Sequence, residues 1–183
     1  MIGVWPPKRS TDPAMRVLAA ILAGGQSRRF GSDKATVMVD DTRLIDRVAA
    51  VLRPQADALL VCGREDRAFV CLPDWPEPGL GPLGGLNAAL RHAAANGFDA
   101  VLSTSCDVPN LPENLHTLLA GDGPACAAEQ PVVGWWPVAV AEQLDGFLAR
   151  GGRALYRFAD HVGARQVAFD PPLANVNRPE DLA

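Results

Sequence analysis

The sequence lacks several features that would mark common protein classes. No apolar run approaches the ~20 residues needed to span a bilayer, although 48% of the 183 residues are hydrophobic. Its net charge of −4 argues against a large nucleic-acid surface. The four cysteines form no Cys-x-x-Cys pair, and the three histidines show no metal-site spacing, so neither a disulfide framework nor a structural zinc site is expected. These absences favour a cytoplasmic protein that binds neither membrane nor nucleic acid and whose partner is a small molecule.

The first residues do not have the pattern of a secretory signal, because they contain two adjacent prolines followed by basic residues and lack both a continuous apolar segment and a small-residue cleavage site. We expect residues 1–16 to form a disordered leader, with Met15 as an alternative start. A chain of this length favours one domain over two, so residues 17–183 are expected to form a single domain.

Apolar runs and helical spacings alternate along the first half of the chain. Strands are predicted at 17–22, 58–62 and 100–104, with one helix from Asp41 or Thr42 to Pro54 and another that carries Leu86 and Leu90 and ends at Gly97. The second half predicts a helix from Pro112, strands at 125–128, 132–140 and 166–169, and helices at 142–148 and 153–158. This alternation predicts an α/β fold with a mostly parallel sheet and helices on both faces.

Several polar or glycine residues follow predicted strand ends, namely Gly24, Cys62 to Arg64, Asp74 and Asp107. Ligands in open α/β sheets bind beyond the carboxyl ends of the strands. Residues far apart in sequence could therefore meet in one cleft.

The segment LAGGQSRRFGSDK, residues 22–34, is typical of a triphosphate-binding loop. Gly24 and Gly25 allow the main chain to turn with its N–H groups toward an anion, and Arg28, Arg29 and Lys34 supply positive charge. The segment fails the Walker A pattern, because Lys34 lies between an aspartate and an alanine. An ordinary strand-to-helix turn on a basic surface is the alternative.

Two aspartates are candidates for the chemistry. Asp107 lies at the end of a predicted strand and is held there by the proline that follows, so it could bind Mg²⁺. The alternative is a helix-capping or turn aspartate. Asp74 could recognise guanine, whose edge offers two parallel N–H donors to one carboxylate, or could be an ordinary loop residue.

Three further motifs allow two interpretations each. Residues 79–84 match G-x-G-x-x-G but follow prolines instead of an apolar strand, so we interpret them as a rigid loop closing over a nucleoside, or a purely structural loop, and not as a dinucleotide fingerprint. Trp135 and Trp136 could pack in a core or dimer, or stack on a heterocycle. Asn175 and Asn177 share one face of an extended segment, or merely cap a helix.

Four motifs, in this order, resemble those of the molybdenum cofactor guanylyltransferase family: LAGGQSRRFGSDK at 22–34, DWPEPGLGPLGG at 74–85, CDVP at 106–109 and NVNRPEDL at 175–182. The resemblance implies a Rossmann-like nucleotidyltransferase fold, a three-layer α/β/α sandwich. It further implies that GTP contacts Leu22, Ala23, Gly24, Gly25, Lys34, Asp74 and Asp107, that Asp107 binds Mg²⁺, and that Asn175 and Asn177 contact the pterin. Val61-Cys62-Gly63 stands where the family often has a nucleotide-contacting asparagine, which leaves at most main-chain contacts there.

The activity implied by this resemblance is Mg²⁺-dependent transfer of GMP from GTP to the terminal phosphate of molybdopterin, or of its molybdenum-loaded form, with release of pyrophosphate. Lys34 and Arg29 would offset the developing negative charge. Transient contact with molybdoenzymes or other cofactor-assembly proteins is also expected. Two alternatives remain: a nucleotidyltransferase of the same fold with another acceptor, such as a sugar phosphate or a different pterin dinucleotide, and a non-catalytic adaptor that delivers molybdopterin.

Overall fold

A computed structural model of the chain describes residues 15–24, 37–39 and 41–174. Within these ranges the strands are β1 (Val17–Leu22), β2 (Met38–Val39), β3 (Thr42–Arg43), β4 (Ala58–Cys62), β5 (Val70–Leu72), β6 (Ala100–Ser105), β7 (Ala125–Ala127), β8 (Gly134–Pro137) and β9 (Arg165–Val167). The α-helices are α1 (Leu44–Leu52), α2 (Pro82–Ala95), α3 (Leu115–Leu119), α4 (Ala141–Ala149) and α5 (Leu155–His161). Short 3₁₀ helices occupy Arg53–Gln55 and Val138–Val140.

Seven of these strands form one sheet in the order β5-β4-β1-β6-β8-β7-β9. The first four are parallel to one another, β8 is antiparallel to both β6 and β7, and β9 runs parallel to β7. Strands β2 and β3 make a separate antiparallel pair. The predicted mostly parallel sheet is confirmed, and the second half of the chain extends it with strands of mixed direction.

The strand β1 lies at the centre of the parallel half and is buried along its whole length. Central strands of parallel sheets are covered on both faces, so they read as continuous apolar runs such as VLAAIL. One apolar cluster joins the sheet to α2, α4 and α5, and a second joins the opposite face to α1 and α3. The fold is therefore a three-layer α/β/α sandwich.

The adjacent Trp135 and Trp136 in β8 lie on opposite faces of the sheet, and both are fully buried. The Trp136 ring lies 5.7 Å from that of Phe158, and its indole N–H donates to Ser103 Oγ at 2.9 Å. The Trp135 ring meets that of His116 edge-on at 5.2 Å. Core packing is thus confirmed, and stacking of either ring on a ligand is excluded by burial.

Other boundaries differ from the sequence-based expectations. Helix α1 begins at Leu44 and not at Asp41 or Thr42, because Thr42 and Arg43 pair with β2. The predicted strand over 132–140 is limited to Gly134–Pro137, and Val138–Val140 turn into a 3₁₀ helix. Strand β5 was not predicted, since it has only three residues, none of which is buried.

Arg16, the last residue of the predicted leader, is held by the connection between α2 and β6. Its backbone N–H donates to Asp99 Oδ2 at 2.7 Å, and its guanidinium bonds the carbonyl of Gly97 and lies 4.5 Å from the centre of the Phe98 ring. Residues 1–14 lie outside the described part of the chain. All four cysteines are free thiols, and none of the helices in the described ranges is long and apolar enough to cross a membrane.

Candidate functional site

The carboxyl ends of four neighbouring parallel strands meet at one edge of the sheet. Because the strand order is β5-β4-β1-β6, the residues that follow these strands lie side by side: Asp74 after β5, Gly63 after β4, Ala23 and Gly24 after β1, and Asp107 after β6. The Ala23 N–H donates to the Cys62 carbonyl at 2.9 Å, which extends the β1–β4 ladder into the loop. The described members of the predicted site therefore converge on one edge.

The carboxyl group of Asp74 lies in a recess walled by glycines. A Cβ atom built on Gly24 would lie 3.2 Å from Asp74 Oδ2, and one built on Gly63 would lie 2.8 Å from Asp74 Oδ1. On Gly84 it would approach the Asp74 Cβ to 3.0 Å, and on Gly85 the Asp74 Oδ1 to 3.6 Å. The recess exists because these positions carry no side chain.

Burial dominates the electrostatics of Asp74. Desolvation raises the pKa of this carboxyl group, and a hydrogen bond from the Gly79 N–H only partly opposes the effect. Its Oδ1 atom is buried and has no hydrogen-bond partner among the described residues. A buried acceptor without a partner is costly, and a ligand that donates N–H groups would satisfy it.

The turn after β4 is closed tightly around the same recess. Gly63 adopts φ +81°, a conformation that favours glycine, and its N–H donates to the Leu72 carbonyl at 2.9 Å. Because this N–H already has a partner, it is not available to a nucleotide. The sequence left only main-chain contacts possible at residues 61–63, and the Gly63 N–H is not one of them. The neighbouring Cys62 is buried, and desolvation together with the charge of Asp74 raises the pKa of its thiol to about 12, so it is neutral.

Asp107 lies two residues beyond β6. The Ser105 hydroxyl donates a hydrogen bond to Asp107 Oδ1, and the fully buried Val108 anchors the turn that follows. Among the described residues no group of three or more His, Cys, Asp or Glu side chains could hold a metal. Asp107 could therefore bind a hard divalent cation only if a bound molecule supplied further oxygen atoms. Mg²⁺ is commonly held in this way, by one or two carboxylates and the oxygens of a phosphate.

The loop that contains G-x-G-x-x-G leads directly into a helix. Gly81 precedes α2 with φ +61°, and Pro82 occupies the first turn, where its missing N–H costs nothing. The Trp75 N–H donates to the Gly84 carbonyl at 3.1 Å, which ties the Asp74 loop to α2. This geometry agrees with a rigid loop and not with a dinucleotide fingerprint, which would follow a strand directly.

A cluster of three charged side chains joins α1 to the loop after β4. Arg43 pairs with Asp46 and with Asp66, each at 2.7 Å, and so ties the start of α1 to the loop after β4. The hydrogen bond to Asp46 is the main cause of the raised pKa of Arg43. Burial alone would raise the pKa of Asp66, but the Ala68 N–H and Arg43 outweigh it and lower that pKa.

Ser105 and Gly85 were not singled out from the sequence, whereas Gly63 and Gly84 lie in segments, 62–64 and 79–84, that were placed at the site. The signal for Ser105 was a hydroxyl two positions before the candidate aspartate, and that for Gly63 was a glycine directly after a strand. Gly25, Arg29, Lys34, Asn175 and Asn177 lie outside the described residues, so their predicted roles stay predictions.

Comparison with known proteins agrees with this geometry. Residues 19–167 match the family model described as MobA-like NTP transferase domain. The chain is 41% identical to the molybdenum cofactor guanylyltransferase of Rhodobacter capsulatus, over 92% of this chain and 94% of that protein. It is 37% identical to the protein of the same name from Acidiphilium cryptum, over 93% and 95% of the two chains.

Two solved structures show the same fold. The molybdopterin-guanine dinucleotide biosynthesis protein A of Archaeoglobus fulgidus superposes with a TM-score of 0.73 at 21% identity, covering 90% of this chain and 94% of that one. The 2-C-methyl-D-erythritol 4-phosphate cytidylyltransferase of Thermus thermophilus superposes with a TM-score of 0.67 at 17% identity, covering 92% and 95%. On its sequence identity and family match, the chain belongs to the MobA-like NTP transferase family and, within it, to the molybdenum cofactor guanylyltransferases.

Proposed function

We propose that this protein transfers GMP from GTP to the terminal phosphate of molybdopterin, or of its molybdenum-loaded form, and so makes the guanine dinucleotide cofactor and pyrophosphate. The observation that carries the proposal is the half-buried Asp74 carboxylate, whose Oδ1 atom is itself buried and has no partner in the described part of the chain. Relatives at 37–41% identity bear the name of this activity.

Asp74 would select guanine. The N1–H and exocyclic N–H groups of guanine are parallel donors, and an ionised carboxylate accepts both. Adenine and cytosine lack this pair of donors, so they would leave Oδ1 unsatisfied in its recess. A side chain at Gly24, Gly63 or Gly84 would press on Asp74, so the glycines are needed for the carboxylate to keep this position.

The β1 end would bind the triphosphate. We propose that Leu22, Ala23, Gly24 and Gly25 approach the phosphates through their main chain, with Arg29 and Lys34 supplying positive charge. Gly24 supports this role, since a Cβ there would lie 3.1 Å from the Gly63 Cα and would crowd the turn. An acceptor phosphate oxygen, positioned by Asn175 and Asn177 on the pterin side, would attack the α-phosphorus in line. The bond to pyrophosphate then breaks, and Lys34 and Arg29 offset the charge that develops.

Asp107 would hold a divalent cation, which we propose is Mg²⁺, and the donor set fits: the carboxylate and the Ser105 hydroxyl beside it offer hard oxygens only. When bound, the cation would neutralise phosphate charge and orient the triphosphate. Ser105 holds one carboxylate oxygen and thereby sets the orientation of the other.

We further infer that residues 17–183 act as one domain in the cytoplasm, with transient contacts to molybdoenzymes or cofactor-assembly proteins.

The test is pyrophosphate release with each of the four nucleoside triphosphates, in the presence and absence of molybdopterin. We expect release with GTP only, and only when molybdopterin is present. Asp74→Asn should lose the preference for GTP, whereas Glu77→Gln, an exposed acid in the same loop, should keep it. Preference for CTP, or turnover with a sugar phosphate in place of the pterin, would assign another acceptor or nucleotide. GTP binding without release under any condition would indicate a non-catalytic adaptor.

A further inference from the structure

The chain segment that precedes Asn175 is held at three main-chain positions by two side-chain amides. Asn110 Nδ2 donates to the Pro172 carbonyl at 3.1 Å, and Asn110 Oδ1 accepts from the Ala174 N–H at 2.8 Å. Gln130 Nε2 donates to the intervening Leu173 carbonyl at 2.8 Å. Three successive residues are thus bound through their backbone, which sets the register of this segment along the chain.

The side chain of Leu173 anchors the same segment in the hydrophobic core. It is 8% exposed and belongs to the apolar cluster that contains Cys106, Val108 and Leu111. These three residues flank Asp107 and Asn110 in the connection after β6. The segment is therefore attached to the connection after β6. This connection also carries Asp107, the candidate metal-binding carboxylate, which lies three residues before Asn110.

The described part of this region is too small to bind a pterin by itself. A cavity of about 60 Å³ lies beside the segment, lined by residues that include Ala127, Gln130, Phe169 and Leu173. This volume suits a few water molecules and no fused heterocycle. The contacts therefore hold the chain and do not form a ligand pocket.

We propose that Asn110 and Gln130 are positioning residues that set the acceptor side of the site relative to Asp107. The inference rests on the proposed function, in which Asn175 and Asn177, directly after the held segment, contact the pterin. An asparagine suits the task because one amide both donates to Pro172 and accepts from Ala174. An aspartate at position 110 could accept from the Ala174 N–H, but its carboxylate would repel the Pro172 carbonyl. An alanine could neither donate nor accept a hydrogen bond.

The test measures steady-state pyrophosphate release by the full chain, with GTP and molybdopterin varied separately. For Asn110→Ala we expect kcat/KM for molybdopterin to fall by about tenfold or more, since ~1 Å of misplacement costs on the order of 10²-fold. The KM for GTP should stay within about twofold of wild type on the same argument, because the nucleotide side is untouched. Asn110→Asp and Gln130→Ala should fall between wild type and Asn110→Ala.

Asn114→Ala is the matched control, because Asn114 is an exposed asparagine in the same connection and makes no side-chain capping bond to α3. It should behave as wild type. Hydrogen exchange of the Ala174 amide should become faster in Asn110→Ala and stay unchanged in Asn114→Ala. Two outcomes would overturn this inference alone, provided that the wild-type protein turns over molybdopterin. One is that Asn110→Ala has wild-type kinetics, and the other is that its kcat/KM falls equally for GTP and for molybdopterin. Absence of wild-type turnover would refute the proposed function, and this inference with it.

Discussion

Replacing Gly63 with alanine should both destabilise the protein and weaken its binding of GTP. Gly63 has φ +81°, and a non-glycine residue in a left-handed conformation costs about 1–2 kcal/mol. The added Cβ would also lie 2.7 Å from the Gly24 N and 2.8 Å from Asp74 Oδ1, and it would overlap the Gly24 Cα. Overpacking of this kind costs about 1–3 kcal/mol, so the free energy of unfolding should fall by about 2–5 kcal/mol in total.

Gly151→Ala separates the two contributions. Gly151 has nearly the same backbone conformation, φ +85°, but a Cβ there would meet no atom within 4 Å. We expect it to lose only the conformational part, about 1–2 kcal/mol, and to bind GTP as wild type does. Urea unfolding gives the stabilities, and calorimetric titration at a temperature where both variants are folded gives the affinities.

The two variants also test where the nucleotide binds. In Gly63→Ala either Gly24 or the Asp74 carboxylate must move, and we expect the affinity for GTP to fall by about tenfold or more, the scale of one lost charged hydrogen bond. If Gly63→Ala and Gly151→Ala bound GTP equally well, the edge formed by β1, β4 and β5 would not be the nucleotide site.

Three further predictions concern the charged groups. Lys34→Ala should lower turnover by ~10²-fold or more, the scale of losing a preorganised charge contact; near-normal kcat in a pyrophosphate-release assay would contradict its assignment. Asp107→Asn should abolish Mg²⁺-dependent turnover while circular dichroism stays native across a magnesium titration, and partial activity that saturates at the wild-type magnesium concentration would count against it. Because burial raises the pKa of Asp74 and only the ionised form accepts both guanine donors, GTP affinity should fall as the pH drops through that raised pKa, at a higher pH than an ordinary aspartate would give. Asp74→Asn should remove this pH dependence, and an unchanged profile in that variant would show that another group titrates.

Parts of the fold were predictable because their causes are local. Strands β1 and β4 match the predicted bounds of 17–22 and 58–62, since a strand buried on both faces appears in the sequence as an unbroken apolar run. The end of α2 before Gly97, which has φ +68°, was equally readable. Strand β5 was not readable, because three residues without buried side chains carry no periodic signal, and it is defined by pairing with β4.

By itself the amino-acid sequence determined the α/β alternation, the motif order and the place of Asp107 after a strand end, because each depends on neighbouring residues. Only the tertiary structure decided the environment of Asp74. Its recess is made by glycines at positions 24, 63, 84 and 85, which the connections after β1 and β4 and the first turn of α2 bring together at one sheet edge. Burial and the missing partner of Oδ1 are properties of that assembly. Desolvation depends on what surrounds a group in space, and no spacing along the chain encodes it.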